Sequence, residues 1–422
     1  MRFAKTRPRQ GKSRHHLDLG FAATIDCAIV IAAQELRLFE KYGLAVRLSR
    51  EIGWATIREK LLHEELDAAA AHASMLFSIY CGIGVVRRSC LTGLLLGLNG
   101  SAITLSNELW DLGVRDAGSL GGVIRKHKGS RIFTFAVVLD VSSQNFILRK
   151  WLRSGGIDPD LDVRVMVIPS NLVYETYRAG HLDGYCVAEP WNSAASLNGT
   201  GWVVATSSEI EPNHPEKALL VLQEFAEKRE DEHIRMLAAL IEASRYCDLP
   251  ENRAELARML ARPQYLDVDK RLLANALVGP FNPGRGHLSV KDFVIYDGLK
   301  GGSPSHARGK WALDLMRTLG ASESTPALRP EVIRKVFRQD IFGKAVALVR
   351  SSDLKNQPLM PPPPCRESRA LTKGLGEPGK ESTPSAGVPQ SPGRAPDPAH
   401  FQRGLCCLIE PQTIEPTTAL RL

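Results

Sequence analysis

Polar side chains collect at a few points of this sequence where an apolar run passes into a helical one. Thr24 and Asp26 follow Leu17 to Ala22, and Trp54 opens a second helical stretch. Leu98-Asn99-Gly100-Ser101 precedes the run Ala102 to Ser106, and Ser142-Ser143-Gln144-Asn145 opens another helix. A helix N-terminus carries unpaired N–H groups and a partial positive charge, so hydroxyl and amide side chains placed there can hold an anion without a cofactor. Taken singly, Ser143 and Asp26 read equally well as plain N-caps. Only convergence on one cleft makes them a site.

Signatures of covalent chemistry are missing. The chain holds no G-x-S-x-G, no G-x-x-x-x-G-K-[ST], no G-x-G-x-x-G after a strand and no H-E-x-x-H. Its 11 histidines are dispersed, and His72 and His214 read as ordinary strand-end or loop residues. The 8 cysteines are scattered and form no C-x-x-C, which fits a reducing compartment and neither zinc nor a redox couple. We expect a binding protein and not an enzyme, with no metal and no cofactor.

The elements that must position these groups alternate between strand and helix. Leu17 to Ala22 reads as a strand and is followed by a helix from about Asp26, with Ile29, Ala32, Ala33, Leu36 and Phe39 at helical spacing and Gly43 as the stop. Leu44, Val46 and Leu48 alternate as a strand, a helix covers Trp54 to Glu65, and Asp67 to Ala71 suits a buried parallel strand. The order repeats with a strand at Arg131 to Val138, a helix capped by Ser143 and closed by Gly155-Gly156, a strand at Val163 to Ile168, a short helix, and Leu182 to Val187. Two such units imply an α/β protein of two parallel-sheet lobes, with the ligand outside the carboxyl ends of the strands. From about Asn213 to Arg350 the chain reads as mostly helical, with Leu219, Leu222 and Phe225 on one face and Ile234, Leu237, Leu240 and Ile241 on the next.

Charge locates the ends of this body. The formal net charge of +8 divides between Met1 to His16, with basic residues and no acid, and the stretch from Lys355. What remains between Leu17 and Leu354 is close to neutral, so charge gives no reason to expect nucleic acid. Half of the 26 prolines fall between Pro358 and Pro416, a composition that cannot bury enough surface to order itself. The expected organisation is a basic arm over 1–16, a first part of lobe I over 17–105, lobe II over 106–204, a mostly helical completion of lobe I over 205–350, and a disordered tail over 355–422. No apolar run is long enough for a membrane span, and the basic N-terminus leads into no apolar leader region, so as written the chain is expected in the cytoplasm. A misassigned start would leave it periplasmic or membrane-associated.

At Leu48-Ser-Arg-Glu-Ile-Gly-Trp-Ala-Thr-Ile-Arg-Glu-Lys60 and Asp183-Gly-Tyr-Cys-Val-Ala-Glu-Pro-Trp-Asn192 the chain resembles the nitrate and bicarbonate substrate-binding subunits of bacterial ABC importers. Phe39 to Leu44, Leu98 to Ser106, Trp151 to Pro159 and His214-Pro-Glu-Lys217 continue the resemblance in order from about residue 16 to 345. It implies a type II periplasmic-binding-protein fold, the Venus flytrap, whose two lobes close on nitrate, nitrite or bicarbonate. The site positions it implies are Trp54, Ser101, Gln144, Ala188 and Lys217. Lys217 would compensate the charge of a dehydrated anion, and Trp54 would offer an indole N–H. Ser101, Gln144 and Ala188 replace a longer amide, a histidine and a glycine of the family. The partner implied is an ABC permease or, in the cytoplasmic sensor branch, an antiterminator regulator. An enzyme resembling those of thiamine-pyrimidine synthesis, or an interaction protein that binds no ligand, stays open on the residues alone.

Overall fold

The computed structural model describes residues 16–288, 290, 292–296, 301–319 and 328–353. The basic arm before His16 and the proline-rich segment fall outside the described residues.

The first strand, β1 (Leu17–Ala22), pairs in parallel with β2 (Val46–Glu51) on one side and β3 (Ala68–His72) on the other. A 3-10 turn Ile25–Cys27 leads into the helix Ala28–Glu35, which ends where Arg37 takes a left-handed backbone. One continuous helix to Phe39 was expected; Leu38–Lys41 is instead a separate turn. The next strands are β4 (Cys90–Leu91), β5 (Leu95–Asn99) and β6 (Ser101–Ser106), the last two separated by Gly100 alone. Asn99 and Gly100 both have positive φ, which favours this Asn-Gly pair at the point where the chain leaves one sheet for another. The chain then forms β7 (Phe133–Val137), β8 (Val163–Val167), β9 (Gly184–Ala188) and β10 (Gly201–Thr206).

One expectation fails at the next element. Pro215 to Leu222, read as the start of the helical region, is the strand β11, buried along its whole length. It runs antiparallel between β3 and β5, with Lys217 opposite His72. A strand covered on both faces shows an unbroken apolar run such as Ala218 to Leu222, which periodicity cannot tell from a buried helix. Helices Glu230–Asp248, Arg253–Leu260, Lys270–Leu277, His306–Thr318 and Gln339–Asp353 follow, with the short β12 (Val294–Ile295) between them.

The result is a seven-stranded sheet ordered β12-β5-β11-β3-β1-β2, with β4 beside β11, and a five-stranded sheet ordered β10-β6-β9-β7-β8. Strand β6 lies in the smaller sheet, so the chain crosses at Gly100, a few residues before the expected boundary at 105. It returns between β10 and β11. The larger lobe packs Ile29, Ala32 and Ala33 of its first helix against Met236, Leu237, Leu240 and Ile241, all completely buried. The smaller lobe has its own core of Phe133, Phe135, Ile147, Leu148 and Leu152. A third apolar cluster joins Trp54, Ala69 and Ala71 of one lobe to Ala136, Tyr185 and Val187 of the other, so the lobes are closed on each other.

Candidate functional site

The carboxyl ends of β1, β3, β7 and β9 face one another across the junction of the lobes, where an open α/β sheet places its ligands. β1 runs out to Thr24 and Asp26, β3 to His72, β7 through Leu139 to Ser142, and β9 to Ala188 and Glu189. β11 comes from the opposite direction and begins there, at His214 to Lys217.

Lys217 is fully buried. Its Nζ lies 2.9 Å from Asp26 Oδ2 and 2.6 Å from Glu216 Oε1, and it stands 4.9 Å above the Trp54 ring. Burial by itself would lower the ammonium pKa, but the two carboxylates outweigh it and hold Lys217 above the usual lysine value. Glu216 is also fully buried, yet Lys217 and the His214 hydrogen bond hold its carboxyl well below the usual range. Asp26 moves the other way: burial raises it, and its bonds to Lys217 and Thr24 offset only part of that. Burial and the nearby ammonium push His72 well below the usual histidine value, so its ring is neutral.

Neighbours in an ideal strand point to opposite faces. Glu216 and Lys217 reach each other because the β11 pairing to β5 shifts register on both sides of Lys217, a bulge that turns both side chains into the junction. On the other lobe, Ser142 and not Ser143 caps the helix Ser143–Ser154, accepting from the Asn145 N–H. The Ser143 hydroxyl is thereby free to donate to Glu216 Oε2, and Gln144 Nε2 donates to Glu216 Oε1 at 2.9 Å. His214 Nε2 lies 3.0 Å from Glu216 Oε2, while Nδ1 meets the Glu211 carbonyl at 2.7 Å. Glu216 Oε1 therefore has two donors, Lys217 and Gln144, while Oε2 has the Ser143 hydroxyl with the His214 ring beside it.

All five residues expected at the site lie at this junction. Trp54 and Lys217 touch, and Gln144 reaches them through Glu216. Ser101 and Ala188 face each other across the β6–β9 pairing. They border Asp26: a Cβ built on Gly100 would come within 3.6 Å of its carboxylate, and the Ile25 N–H donates to the Glu189 carbonyl. Lys217, expected to compensate the charge of an anion, here faces two carboxylates. Asp26 and Ser143 are not the caps they resembled, and His72 and His214 are more than ordinary loop residues. Asp26 and Ser143 were among the polar groups at strand ends and helix starts, whereas Glu216, His72 and His214 were not singled out as ligand residues.

Several buried polar atoms at the junction have no hydrogen-bond partner: Trp54 Nε1, both His72 nitrogens, Ser101 Oγ and Gln144 Oε1. Buried polar groups are seldom left so, and a cluster of them asks for an explanation in terms of a ligand. The unpartnered donors are an indole and an imidazole beside the Lys217 ammonium and a serine hydroxyl at the start of β6, groups suited to an oxyanion. Ser143 and His214 both bond to Glu216 and not to each other, so the serine lacks the adjacent base of a nucleophilic triad. Among the described residues no group of His, Cys, Asp and Glu side chains is arranged to hold a metal ion. No described helix is long and apolar enough to cross a membrane.

Residues 10–261 match the NMT1-like family. The chain is 37% identical over 340 residues to the bicarbonate transport ATP-binding protein CmpC of Synechocystis, covering 80% of this chain and 50% of that protein. It spans only about half the length of that relative. With the nitrate/nitrite binding protein NrtA of Synechococcus elongatus it shares 30% identity over 353 residues, 80% of this chain and 79% of that one. Among solved structures, the periplasmic nitrate-binding protein NrtA from Synechocystis superposes with a TM-score of 0.74 at 24% identity, covering 84% of this chain and 93% of the other.

Proposed function

The chain belongs to the NMT1-like family, within the nitrate and bicarbonate substrate-binding proteins of ABC transporters, and from that premise we propose that it binds a small planar oxyanion without covalent chemistry. Nitrate or nitrite is the first choice and bicarbonate the second. The observation that carries this reading is that Trp54 Nε1 and His72, buried and without hydrogen-bond partners, belong to side chains packed beside the Lys217 ammonium, with Ser101 Oγ a further unpartnered buried donor where the smaller sheet begins. An anion leaving water needs a fixed countercharge and donors at short range, and the junction supplies both. Ala188, facing Ser101, brings a methyl group where the family has glycine, which narrows the space and favours an ion of few atoms.

The proposed cycle is that of a two-lobed binder. The anion bridges donors of both lobes, favours the closed form, and closure is read by a component of an ABC transport system. The transport ATP-binding relatives, which share this region over half their length, support that choice of partner. Isothermal titration of the full chain with nitrate, nitrite and bicarbonate tests the reading. Heat of binding with at least one of them, lost in Ser101→Ala and weakened in Trp54→Phe, is the expected result. No heat with any of the three at about 1 mM, a concentration that corresponds to only ~4 kcal/mol of binding, would refute it.

A further inference from the structure

We infer that Glu216 is a built-in competitor for the anion: its carboxylate takes the seat of a free oxyanion and latches the two lobes shut without one. This rests on the anion site just proposed. A carboxylate is itself a planar oxyanion, and Glu216 is received as a ligand would be. Lys217 Nζ and Gln144 Nε2 donate to Oε1, Ser143 Oγ donates to Oε2, and His214 Nε2 lies 3.0 Å from Oε2. The neutral His72 ring stands with Nδ1 3.6 Å from Oε1, beyond a hydrogen bond. Lys217 and the histidines belong to the larger lobe, whereas Ser143 and Gln144 start a helix of the smaller one. The carboxylate therefore bridges the same two surfaces that a bound anion would bridge.

Other ties also cross between lobes, such as the Ile25 N–H to the Glu189 carbonyl at 2.9 Å. That tie is neutral, and the Lys150–Glu211 pair is partly exposed, whereas the Glu216 set carries fully buried charge. With the Lys217 ammonium already facing Asp26 and Glu216, an incoming anion meets carboxylates unless Glu216 swings out. Binding is thus an exchange of one oxyanion for another. If the latch is shut nine times in ten, apparent anion affinity falls about tenfold. The indole N–H of Trp54 and the Ser101 hydroxyl, which Glu216 leaves without partners, give a free anion contacts that the tethered carboxylate lacks.

Amide hydrogen exchange of the full-length protein, in buffer free of oxyanions, tests the latch. Glu216→Ala should raise exchange in residues 142–147 and 214–218 by about tenfold or more, as the lobes part. Sodium formate, a free carboxylate of matching size, should restore protection at tens of millimolar, and neutral formamide should not. Glu216→Gln, with one acceptor in place of two, carries the same comparison where the alanine variant folds poorly. Unchanged protection in either folded variant, or protection restored equally by formamide, overturns the latch. Titration of the variants with nitrate keeps the two ideas separate. Opening that formate reverses and nitrate does not leaves the latch standing and refutes nitrate as ligand. Nitrate binding of equal strength in wild type and Glu216→Ala supports the site and overturns the competition.

Discussion

Replacing Lys217 with methionine tests the electrostatics of the junction most severely, because it keeps a long apolar stem and removes only the charged head. The ammonium is completely buried, with contacts of 2.9 Å to Asp26 and 2.6 Å to Glu216. At an effective dielectric near 20, each contact amounts to about 6 kcal/mol of Coulomb attraction before desolvation is set against it. Removing one member of a buried pair strands its partner, and the expected loss of stability is about 3–5 kcal/mol. Here two carboxylates are stranded, so the upper end of the range applies. The triple variant Asp26→Asn, Glu216→Gln, Lys217→Met removes every one of those charges and should recover most of the loss, to within about 2 kcal/mol of wild type. Urea denaturation followed by near-ultraviolet circular dichroism reads both values.

The same substitution should invert one contribution to the pH dependence. In the wild type, Glu216 titrates below its ordinary value of 4.5, so the stability it lends is present above that pH and lost as pH falls below it. Without the ammonium, burial dominates, the carboxyl pKa rises, and stability is instead lost as pH increases above 4.5. A single variant that costs less than about 1 kcal/mol, a triple variant no more stable than the single, or an unchanged pH profile would each refute the reasoning.

Three further outcomes are expected. Glu189 is completely buried, and its pKa is pushed up to about 7 by burial, against an ordinary 4.5; a raised carboxyl favours the folded state at low pH, so its contribution is lost as pH rises between those values. Glu189→Gln should remove that dependence and stabilise the protein at pH 8 by up to ~3 kcal/mol, read by melting across the pH range. Trp54→Phe keeps the ring over Lys217 and deletes an N–H that has no partner, so stability should change by less than about 1 kcal/mol while anion affinity drops severalfold; a large loss of stability would mark the indole as structural. Gly155→Ala would bring a methyl within 2.0 Å of the Ala117 carbonyl oxygen, where two helices of the smaller lobe meet, and should cost about 1–3 kcal/mol or more in thermal unfolding.

How far the site was legible can be followed residue by residue. Trp54, Ser101 and Gln144 sit at strand ends or helix starts, positions that hydrophobic period and turn chemistry mark locally, whereas Ala188 was named by the family resemblance alone. His72 lies on β3 as a residue of an alanine-rich run, and nothing local distinguishes it from a buried core histidine. Ser142 and Ser143 are chemically alike, and only the observed N-cap bond decides which hydroxyl stays home and which reaches across the junction. β11 escaped recognition because a strand buried on both faces has no alternation to display.

By itself the sequence determined the alternation of strand and helix, the near-neutral body between charged ends, the family, and the residue types gathered at the junction. These depend on local spacing and on motifs a few residues long. Tertiary structure alone decided their pairing. Glu216 and Lys217 are adjacent in the chain and in an ideal strand would point apart; a bulge in β11, set by its pairing to β5, turns them together. The partners of Glu216 lie some seventy residues away at Ser143 and Gln144, at a separation where no period or motif carries information. Whether a buried lysine waits for an anion or already holds one depends on which carboxylates the fold brings within 3 Å of it, and that is a property of packing in three dimensions.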